Sequence, residues 1–88
     1  MEDKIKACVL ISGKGSNLKS TIKSSKKRNF PIKIDLVISN KKNAKGIIVA
    51  KKNKIPFKFF SSKNRKKFEN SCLIEIRKRQ IKFICLAG

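Results

Sequence analysis

Residues 9–18 read Val9-Leu10-Ile11-Ser12-Gly13-Lys14-Gly15-Ser16-Asn17-Leu18. An apolar run comes first, two glycines allow a sharp turn, and a serine and an asparagine follow, which are residue types that cap helices. This order predicts a buried β-strand, a tight turn and the first turn of an α-helix. Backbone N–H groups at a helix start favour bound negative charge. The stretch therefore predicts an α/β fold with an anion site after its first strand.

The rest of the chain continues the alternation of strand and helix. Apolar runs predict strands at 5–11, 32–38, 57–60 and 81–87, and amphipathic stretches predict helices at 16–27, 44–53 and 64–79. A βαβαβαβ order with short connections predicts a Rossmann-like parallel sheet with strand order 3-2-1-4. Pro56 and Lys58 suit the third strand to an edge of that sheet. The fourth strand forms the other edge, and its outer side is expected to be uncovered.

Apolar residues at helical spacing predict which side of each helix faces the sheet. The expected contacts are Leu18 and Ile22 in the first helix, Ile47 and Ile48 in the second, and Phe68, Cys72, Leu73 and Ile76 in the third. Asn64 is the expected N-cap of the third helix. The first strand becomes continuously apolar after Lys6, so we expect it to be buried on both faces at the centre of the sheet.

The composition is that of one small, strongly basic domain. The chain has 88 residues, 24 Lys and Arg against 5 acidic residues, a net charge of +19 and 40% hydrophobic residues. This apolar share supports a core and excludes a disordered basic tail. The charge, with Phe57, Phe59 and Phe60 as stacking residues, leaves a nucleic-acid-binding module as an alternative.

Two features of the positive charge indicate an origin other than nucleic-acid binding. Only four of the 24 cations are arginine, and Lys, Ile, Asn and Phe make up 46 of the 88 residues, which indicates a coding bias towards A/T-rich codons. The lysines also spread over all predicted elements instead of forming one stripe. We therefore expect only nonspecific attraction to polyanions from the charge.

The cysteines and the apolar runs indicate a reduced, cytoplasmic protein. No two of the three cysteines (Cys8, Cys72 and Cys85) form a C-x-x-C pair, and all three lie in apolar stretches. The chain has no histidine. This pattern favours buried thiols over a zinc site or a disulfide framework. The longest N-terminal apolar run, residues 7–11, is too short for a membrane span or a signal peptide. We expect no metal and no membrane association.

The glycine turn differs from two common nucleotide-binding motifs. Leu18 stands at the third glycine of G-x-G-x-x-G, and Ser39 rather than an acidic residue follows the second strand. The ATP-binding P-loop needs four residues between its glycines, and only Lys14 lies between Gly13 and Gly15. Since the turn lies at the switch point of the predicted sheet, a phosphate monoester is the expected ligand. An ordinary capped turn without a ligand is the alternative.

The turn resembles the phosphate-binding loop of the glycinamide ribonucleotide formyltransferases, folate-dependent enzymes of purine synthesis. Residues 11–18 match the motif I-S-G-x-G-S-N-L of that family. The similarity continues through residues 37–41, Ala44, Gly46 and residues 55–56, and it ends in residues 85–88, which resemble a family strand ending in L-A-G. It is collinear over nearly the whole chain and implies a formyltransferase-type fold.

The resemblance also implies roles for individual residues. It implies that Gly15, Ser16 and Asn17 hold the phosphate of glycinamide ribonucleotide. Arg65 aligns with an arginine that the family places near the formyl donor, which implies a contact with 10-formyltetrahydrofolate. Lys14 occupies a variable position of the loop and is left out of the site. The other folate-dependent formyl-group enzymes share this fold and are a second alternative, although their first loops differ.

The family's catalytic Asn, His and Asp would follow the position of Gly88. We therefore expect residues 1–88 to form the N-terminal, phosphate-binding part of a single formyltransferase domain, truncated before its catalytic half. The resemblance implies no catalytic residue within the chain, so we expect it to be inactive alone. The edge strand at 81–87 should then present an exposed apolar edge.

Overall fold

The structure is a computed structural model and describes residues 4–11, 16–27, 30–42 and 44–86. Within these residues the elements are β1 (Ile5–Ile11), α1 (Ser16–Ser25), β2 (Ile32–Ser39), α2 (Lys45–Lys52), β3 (Phe57–Phe59), α3 (Arg65–Lys78) and β4 (Phe83–Leu86). All strand pairs are parallel and the sheet order is β3-β2-β1-β4. The predicted fold class, strand order and edge position of the third strand are confirmed.

The sheet separates two hydrophobic cores. The first core packs against α1 and α2 and contains Ala7, Val9, Ile11, Leu18, Ile22, Ile34, Val37, Ala44 and Ala50. The second core packs against α3 and contains Cys8, Leu36, Ile38, Cys72 and Ile81. Two helices thus cover one face of the sheet, and a single helix covers the other. The face under α3 is the less completely covered of the two.

The central strand β1 contributes to both cores. Ala7, Cys8 and Val9 have no exposed surface, and neighbouring residues alternate between the first and the second core. The prediction of a strand buried on both faces is therefore correct from Ala7 onward. At the start of the strand Ile5 is 49% exposed, so the predicted burial does not extend to it.

A bulge in β2 changes which face its side chains reach. Ala7 lies opposite Ile34, and the next residue, Cys8, lies opposite Leu36. Asp35 is therefore an extra residue on β2, and such an insertion turns the following side chains to the other face. Ile34 consequently packs in the first core, whereas Leu36 packs in the second.

The predicted inner face is confirmed for α1 and is partly wrong for α2. Leu18 and Ile22 are buried, as expected. In α2 the buried residues are Gly46 and Ala50, and Ile48 is 55% exposed. The reason is close packing at the glycine: a Cβ on Gly46 would overlap the Cδ1 atom of Ile11. The helix therefore lies on its glycine side, which turns Ile48 to solvent.

Helix α3 begins as predicted but exposes one expected core residue. The Asn64 side chain caps the helix, with Oδ1 accepting a hydrogen bond from the Lys67 N–H at 3.1 Å. Phe68 and Ile76 pack against the second core around the buried Cys72. Leu73 is 45% exposed, so its predicted burial is wrong. Positions 68, 72 and 76 form one line, and Leu73 lies beside it.

The two edge strands are shorter than predicted. β3 ends at Phe59, and Phe57 and Phe59 are 39% and 42% exposed. Both rings are partly in solvent because β3 is an edge strand of the sheet. β4 begins at Phe83, where Phe83 and Ile84 are 46% and 48% exposed. The expected apolar edge is therefore present in the described part of this strand.

The three cysteines are free thiols. Cys8 and Cys72 are buried and Cys85 is half-buried. Burial, with a smaller contribution from the neighbouring thiols of Cys72 and Cys85, raises the pKa of Cys8 to about 12. Burial also raises the pKa of Cys72. None of the helices in the described ranges has the length and apolarity of a transmembrane segment.

Raising the pH above 9 is expected to destabilise the chain through Cys8. An unfolded Cys8 ionises near pH 9.0, whereas the native thiol keeps its proton up to about 12. The free energy of unfolding therefore falls as the pH rises from 9 towards 12, by at most about 1.4 kcal/mol per pH unit.

Urea unfolding at about pH 8 and about pH 10.5 measures the loss. The wild-type chain should lose more unfolding free energy between these pH values than Cys8→Ala. The control variant Leu73→Ala, which removes an exposed side chain and no ionisable group, should lose as much as wild type. Equal losses in wild type and Cys8→Ala would show that the buried Cys8 thiol does not cause the pH dependence of stability.

Candidate functional site

The predicted phosphate site lies at the carboxyl edge of the sheet. β1 ends at Ile11 and α1 begins at Ser16, so Ser16 and Asn17 are the first two residues of this helix. Unpaired backbone N–H groups and the positive end of the helix dipole are found at such a start. Gly15 lies outside the described residues, as do the side chains of Ser16 and Asn17. Their roles in phosphate binding stay predictions.

The start of α1 is placed by contacts along the rest of the helix. Leu18 and Ile22 are 0% and 2% exposed and anchor it on the sheet. At the other end, the Lys4 ammonium donates hydrogen bonds to the carbonyl oxygens of Ser25 and Lys27, at 2.6 and 2.7 Å. A cation at the carboxyl end of a helix stabilises its dipole. The first turn of α1 has no acidic residue, so the helix provides no carboxylate to compete with a bound anion.

Arg65 is the first residue of α3, as expected from the sequence. Its side chain is 91% exposed, and Nε lies 3.2 Å from Oε1 of Glu69 in a surface ion pair. Such pairs contribute little to stability and break at small cost. Since α3 follows β3, Arg65 shares the carboxyl edge with the start of α1. The two helices lie on opposite faces of the sheet.

A groove of about 360 Å³ lies beside the start of α3. Three aromatic rings, from Phe59, Phe60 and Phe68, line it together with the side chains of Lys63 and Lys67. Aromatic faces next to ammonium groups suit an aromatic compound that carries negative charge. The sequence pattern does not predict this groove, because its lining residues come from the end of β3, the loop after it and α3, which only the fold brings together.

The carboxyl edge also contains Asn40, to which the sequence analysis gave no role. Asn40 follows β2 directly, and its N–H donates a hydrogen bond to the Ile11 carbonyl at 3.3 Å. It therefore lies beside the last residue of β1, where the chain enters the predicted phosphate loop. Sequence reasoning missed it because only the pairing of β1 with β2 brings the two positions together.

The described residues contain no group of three or more His, Cys, Asp or Glu side chains that could hold a metal ion. Cys8 and Cys72 are also poor candidates for nucleophiles. The raised pKa values of Cys8 and Cys72 keep both thiols protonated at neutral pH. The described part of the site places Lys63 and Lys67 at the groove beside α3, and anion binding at the start of α1 stays a prediction.

A four-stranded parallel sheet of order 3-2-1-4 with helices on both faces defines a Rossmann-like fold. The chain belongs to the formyl transferase family, because the family profile described as "Formyl transferase" matches residues 5–88. This confirms the resemblance seen in the sequence.

Individual relatives agree with this family. The chain is 38% identical over 88 residues to the trifunctional purine biosynthetic protein adenosine-3 of Homo sapiens, covering 97% of this chain and 9% of that protein. It is 46% identical over 59 residues to the phosphoribosylglycinamide formyltransferase of Haemophilus influenzae, covering 67% of this chain and 28% of that protein.

Solved structures give the same result for the fold. The phosphoribosylglycinamide formyltransferase of Brucella melitensis superposes with a TM-score of 0.91 at 28% identity, over 98% of this chain and 46% of that chain. Glycinamide ribonucleotide transformylase 1 of Geobacillus kaustophilus superposes with a TM-score of 0.90 at 29% identity, over 98% and 47%. The chain thus spans less than half the length of these relatives.

Proposed function

We propose that the chain is part of a phosphoribosylglycinamide formyltransferase of purine (IMP) synthesis. This enzyme transfers the formyl group of 10-formyltetrahydrofolate to the amine of glycinamide ribonucleotide. The observation that supports the proposal is the family match over residues 5–88, with the glycine motif located between β1 and α1. In this proposal residues 1–88 supply the N-terminal, phosphate-binding part of a single formyltransferase domain.

Phosphate binding is the proposed role of Gly15, Ser16 and Asn17. The backbone N–H groups at the start of α1 can donate to phosphate oxygens, and the side chains of Ser16 and Asn17 can add further hydrogen bonds. A ribonucleotide held by its phosphate has a fixed position, which favours its amine for attack on the formyl carbon. The net charge of +19 also attracts a phosphorylated substrate from a distance.

Binding of the formyl donor is the proposed role of Arg65. Tetrahydrofolate contains aromatic rings and a glutamate with carboxylates, so it needs aromatic faces and cations. Arg65 directly follows Asn64, which lines the groove together with the phenylalanines, Lys63 and Lys67, and the Arg65 side chain is exposed. The ion pair with Glu69 can open when a carboxylate binds, because both partners are exposed. The residues present therefore fit an anionic, aromatic cosubstrate, and no metal is part of the proposal.

The transfer step needs groups that we assign to the rest of the domain. Attack of the amine on the formyl carbon forms a C–N bond and an oxyanion. When the oxyanion collapses, the bond between the formyl carbon and the donor nitrogen breaks, and the proton lost by the amine goes to that nitrogen. The chain has no histidine, and its buried thiols of raised pKa are unsuited to proton transfer. The chain's own part is to bind and orient substrates. We also propose a cytoplasmic location, which its free cysteines support.

Binding and activity assays test the proposal separately. Titration of the chain with glycinamide ribonucleotide at about 0.15 M salt should protect the amides of residues 16–18 from hydrogen exchange. The chain alone should not transfer formyl groups, whereas adding the separately produced C-terminal part of the Haemophilus influenzae relative should restore transfer. Neither part should be active alone.

Duplex and single-stranded DNA serve as the comparison ligands. We expect their binding to be nonspecific and to be lost by about 0.2 M salt. Failure of the ribonucleotide to bind, together with a DNA sequence preference that survives this salt concentration, would instead establish a nucleic-acid-binding module.

A further inference from the structure

The carboxyl ends of α1 and α2 lie together at the amino edge of the sheet. The ammonium of Lys4, the residue before β1, donates hydrogen bonds to the carbonyl oxygens of Ser25 and Lys27 at the end of α1. The Lys26 ammonium donates to Oδ1 of Asn53, the C-cap of α2, at 2.7 Å. The two helix ends are therefore joined at the edge of the sheet opposite the predicted phosphate site.

Six lysines surround this junction and form what we call the lysine surface. All of their side chains are exposed, and they are Lys23, Lys26, Lys27, Lys51, Lys52 and Lys54. Residues 16–27 and 44–54, which contain α1 and α2, have no acidic residue. Among the described residues, ion pairs occur only on α3, where Glu69 and Glu75 each pair with an arginine. The lysine surface is therefore positive charge that the described residues leave unneutralised.

The helix dipoles do not account for so many lysines at one place. A cation near the carboxyl end of a helix stabilises it by contact with the last carbonyl oxygens. At the end of α1, Lys4 already bonds two of these oxygens. At the end of α2, the Asn53 side chain donates to the Val49 carbonyl at 2.8 Å, and the Ile55 N–H donates to the Ala50 carbonyl at 2.9 Å. Since like charges repel one another, a partner of opposite charge would stabilise the lysine surface.

The residue types of this surface limit the class of its partner. Lysine binds a phosphate as a point charge, without the bidentate fork by which arginine reads a guanine. Residues 16–27 and 44–54 contain no aromatic residue, so α1 and α2 offer no ring for stacking an unpaired base. A nucleic-acid duplex needs neither feature, because its closely spaced phosphates supply most of the nonspecific affinity.

A membrane surface fits these helices less well than a duplex does. Helices that bind membranes place an apolar side among the lipids. The apolar sides of α1 and α2 instead pack against the sheet, through residues such as Leu18, Ile22 and Ala50. Ile48 is the only large hydrophobic residue that the described parts of these helices expose. The charge is therefore present without the apolar surface that membrane insertion requires.

We propose that the lysine surface is a docking site for the phosphate backbone of double-stranded nucleic acid, bound without regard to base sequence. A net charge of +19 alone attracts polyanions to the whole molecule, whereas the fold concentrates lysines at one edge of it. Because this edge lies opposite the predicted phosphate site, the inference does not depend on the proposed function.

A variant that removes half of the lysine surface tests this location. It combines Lys23→Gln, Lys51→Gln and Lys52→Gln. Binding of a labelled DNA duplex is measured by fluorescence anisotropy between about 0.05 and 0.2 M salt. At the lowest salt, the variant should raise the Kd at least about tenfold, and the slope of log Kd against log salt should fall by about 0.9 for each contacting lysine removed.

The matched control removes three exposed lysines from α3, on the other face of the sheet. It combines Lys66→Gln, Lys67→Gln and Lys78→Gln. Both variants lose the same charge, so only the position of the lost lysines differs. The control should raise the Kd of the duplex less than about threefold, through the weaker field of the whole chain. Urea unfolding should show that both variants keep the cooperative transition of wild type.

Several results would overturn the inference. Equal effects of the two variants would show that the net charge, and not the lysine surface, attracts the duplex. Tighter binding of single-stranded DNA, a preference between two duplexes of unrelated sequence, or no duplex binding at about 0.05 M salt would exclude a backbone-binding surface for duplexes. Vesicles of phosphatidylserine and phosphatidylcholine are the last comparison. If the variant at the lysine surface weakens vesicle binding but not duplex binding, the partner is a membrane.

Discussion

Leu18→Ala is expected to lower the free energy of unfolding by about 2–5 kcal/mol. Leu18 has no exposed surface and packs in the first core, between α1 and the sheet. Its truncation removes buried methyl groups and leaves a cavity that the sheet cannot fill. Because small domains are stable by only about 5–15 kcal/mol, this one change can unfold a large fraction of the molecules. Urea unfolding measured by circular dichroism gives the value directly.

Leu73→Ala is the matched control for this prediction. The same atoms are removed from a helix, but Leu73 is 45% exposed. We expect a loss below about 1 kcal/mol. Comparable losses in the two variants would contradict the arrangement in which α1 is anchored by Leu18 and α3 leaves Leu73 partly in solvent.

Ser16→Ala combined with Asn17→Ala is expected to weaken the binding of glycinamide ribonucleotide about 100-fold, or about 2.7 kcal/mol. Both residues begin α1, where their side chains are proposed to donate charge-assisted hydrogen bonds to the phosphate. The backbone N–H groups remain in the double variant, so binding should be weakened and not abolished. Titration of the chain measures the Kd, and the same pair of changes in a complete relative should raise the KM for this substrate.

Ser20→Ala combined with Asn70→Ala controls for the loss of one serine and one asparagine. Both residues are exposed on helices away from the start of α1. This control should leave the Kd unchanged and should shift the unfolding midpoint only slightly. A Kd unaffected by the changes at Ser16 and Asn17 would remove these residues from the site.

Much of the fold can be predicted from local pattern. The apolar run before the glycines predicts β1, and the short connections require parallel neighbours in the order that the structure shows. Asn64 is followed by an amphipathic stretch and is indeed the cap of α3. These features depend on residues close together in the chain, and therefore periodicity and capping preferences suffice for them.

The errors occur where burial depends on distant elements. Ile48 is hydrophobic, as core residues are, but the close packing of Gly46 against Ile11 orients α2 so that Ile48 faces solvent. Leu73 and Phe57 are exposed because α3 alone covers one face of the sheet and β3 is an edge. The bulge at Asp35 appears only in the register with β1. Sequence pattern contains no direct signal for any of these.

In the candidate site, too, local features can be predicted from the sequence, whereas contacts between distant elements cannot. The position of Ser16 and Asn17 at a helix start follows from the motif, and so does the position of Arg65 at the start of α3. The ion pair between Arg65 and Glu69 follows from their spacing of four residues. The neighbourhood of Asn40 and Ile11 could not be foreseen, because it requires the pairing of two strands that are separated by a helix.

The bare outer edge of β4 makes the colloidal behaviour of the chain depend on ionic strength. Phe83 and Ile84 are about half exposed there, and an unpaired strand edge of this kind can join the edge of another molecule. A net charge of +19 makes two such chains repel each other at low salt. Because salt shortens the range of that repulsion to about 10 Å at 0.1 M and about 3 Å at 1 M, added salt removes the barrier while leaving the apolar edge intact. The many lysines thus oppose association at an edge that the described residues leave uncovered.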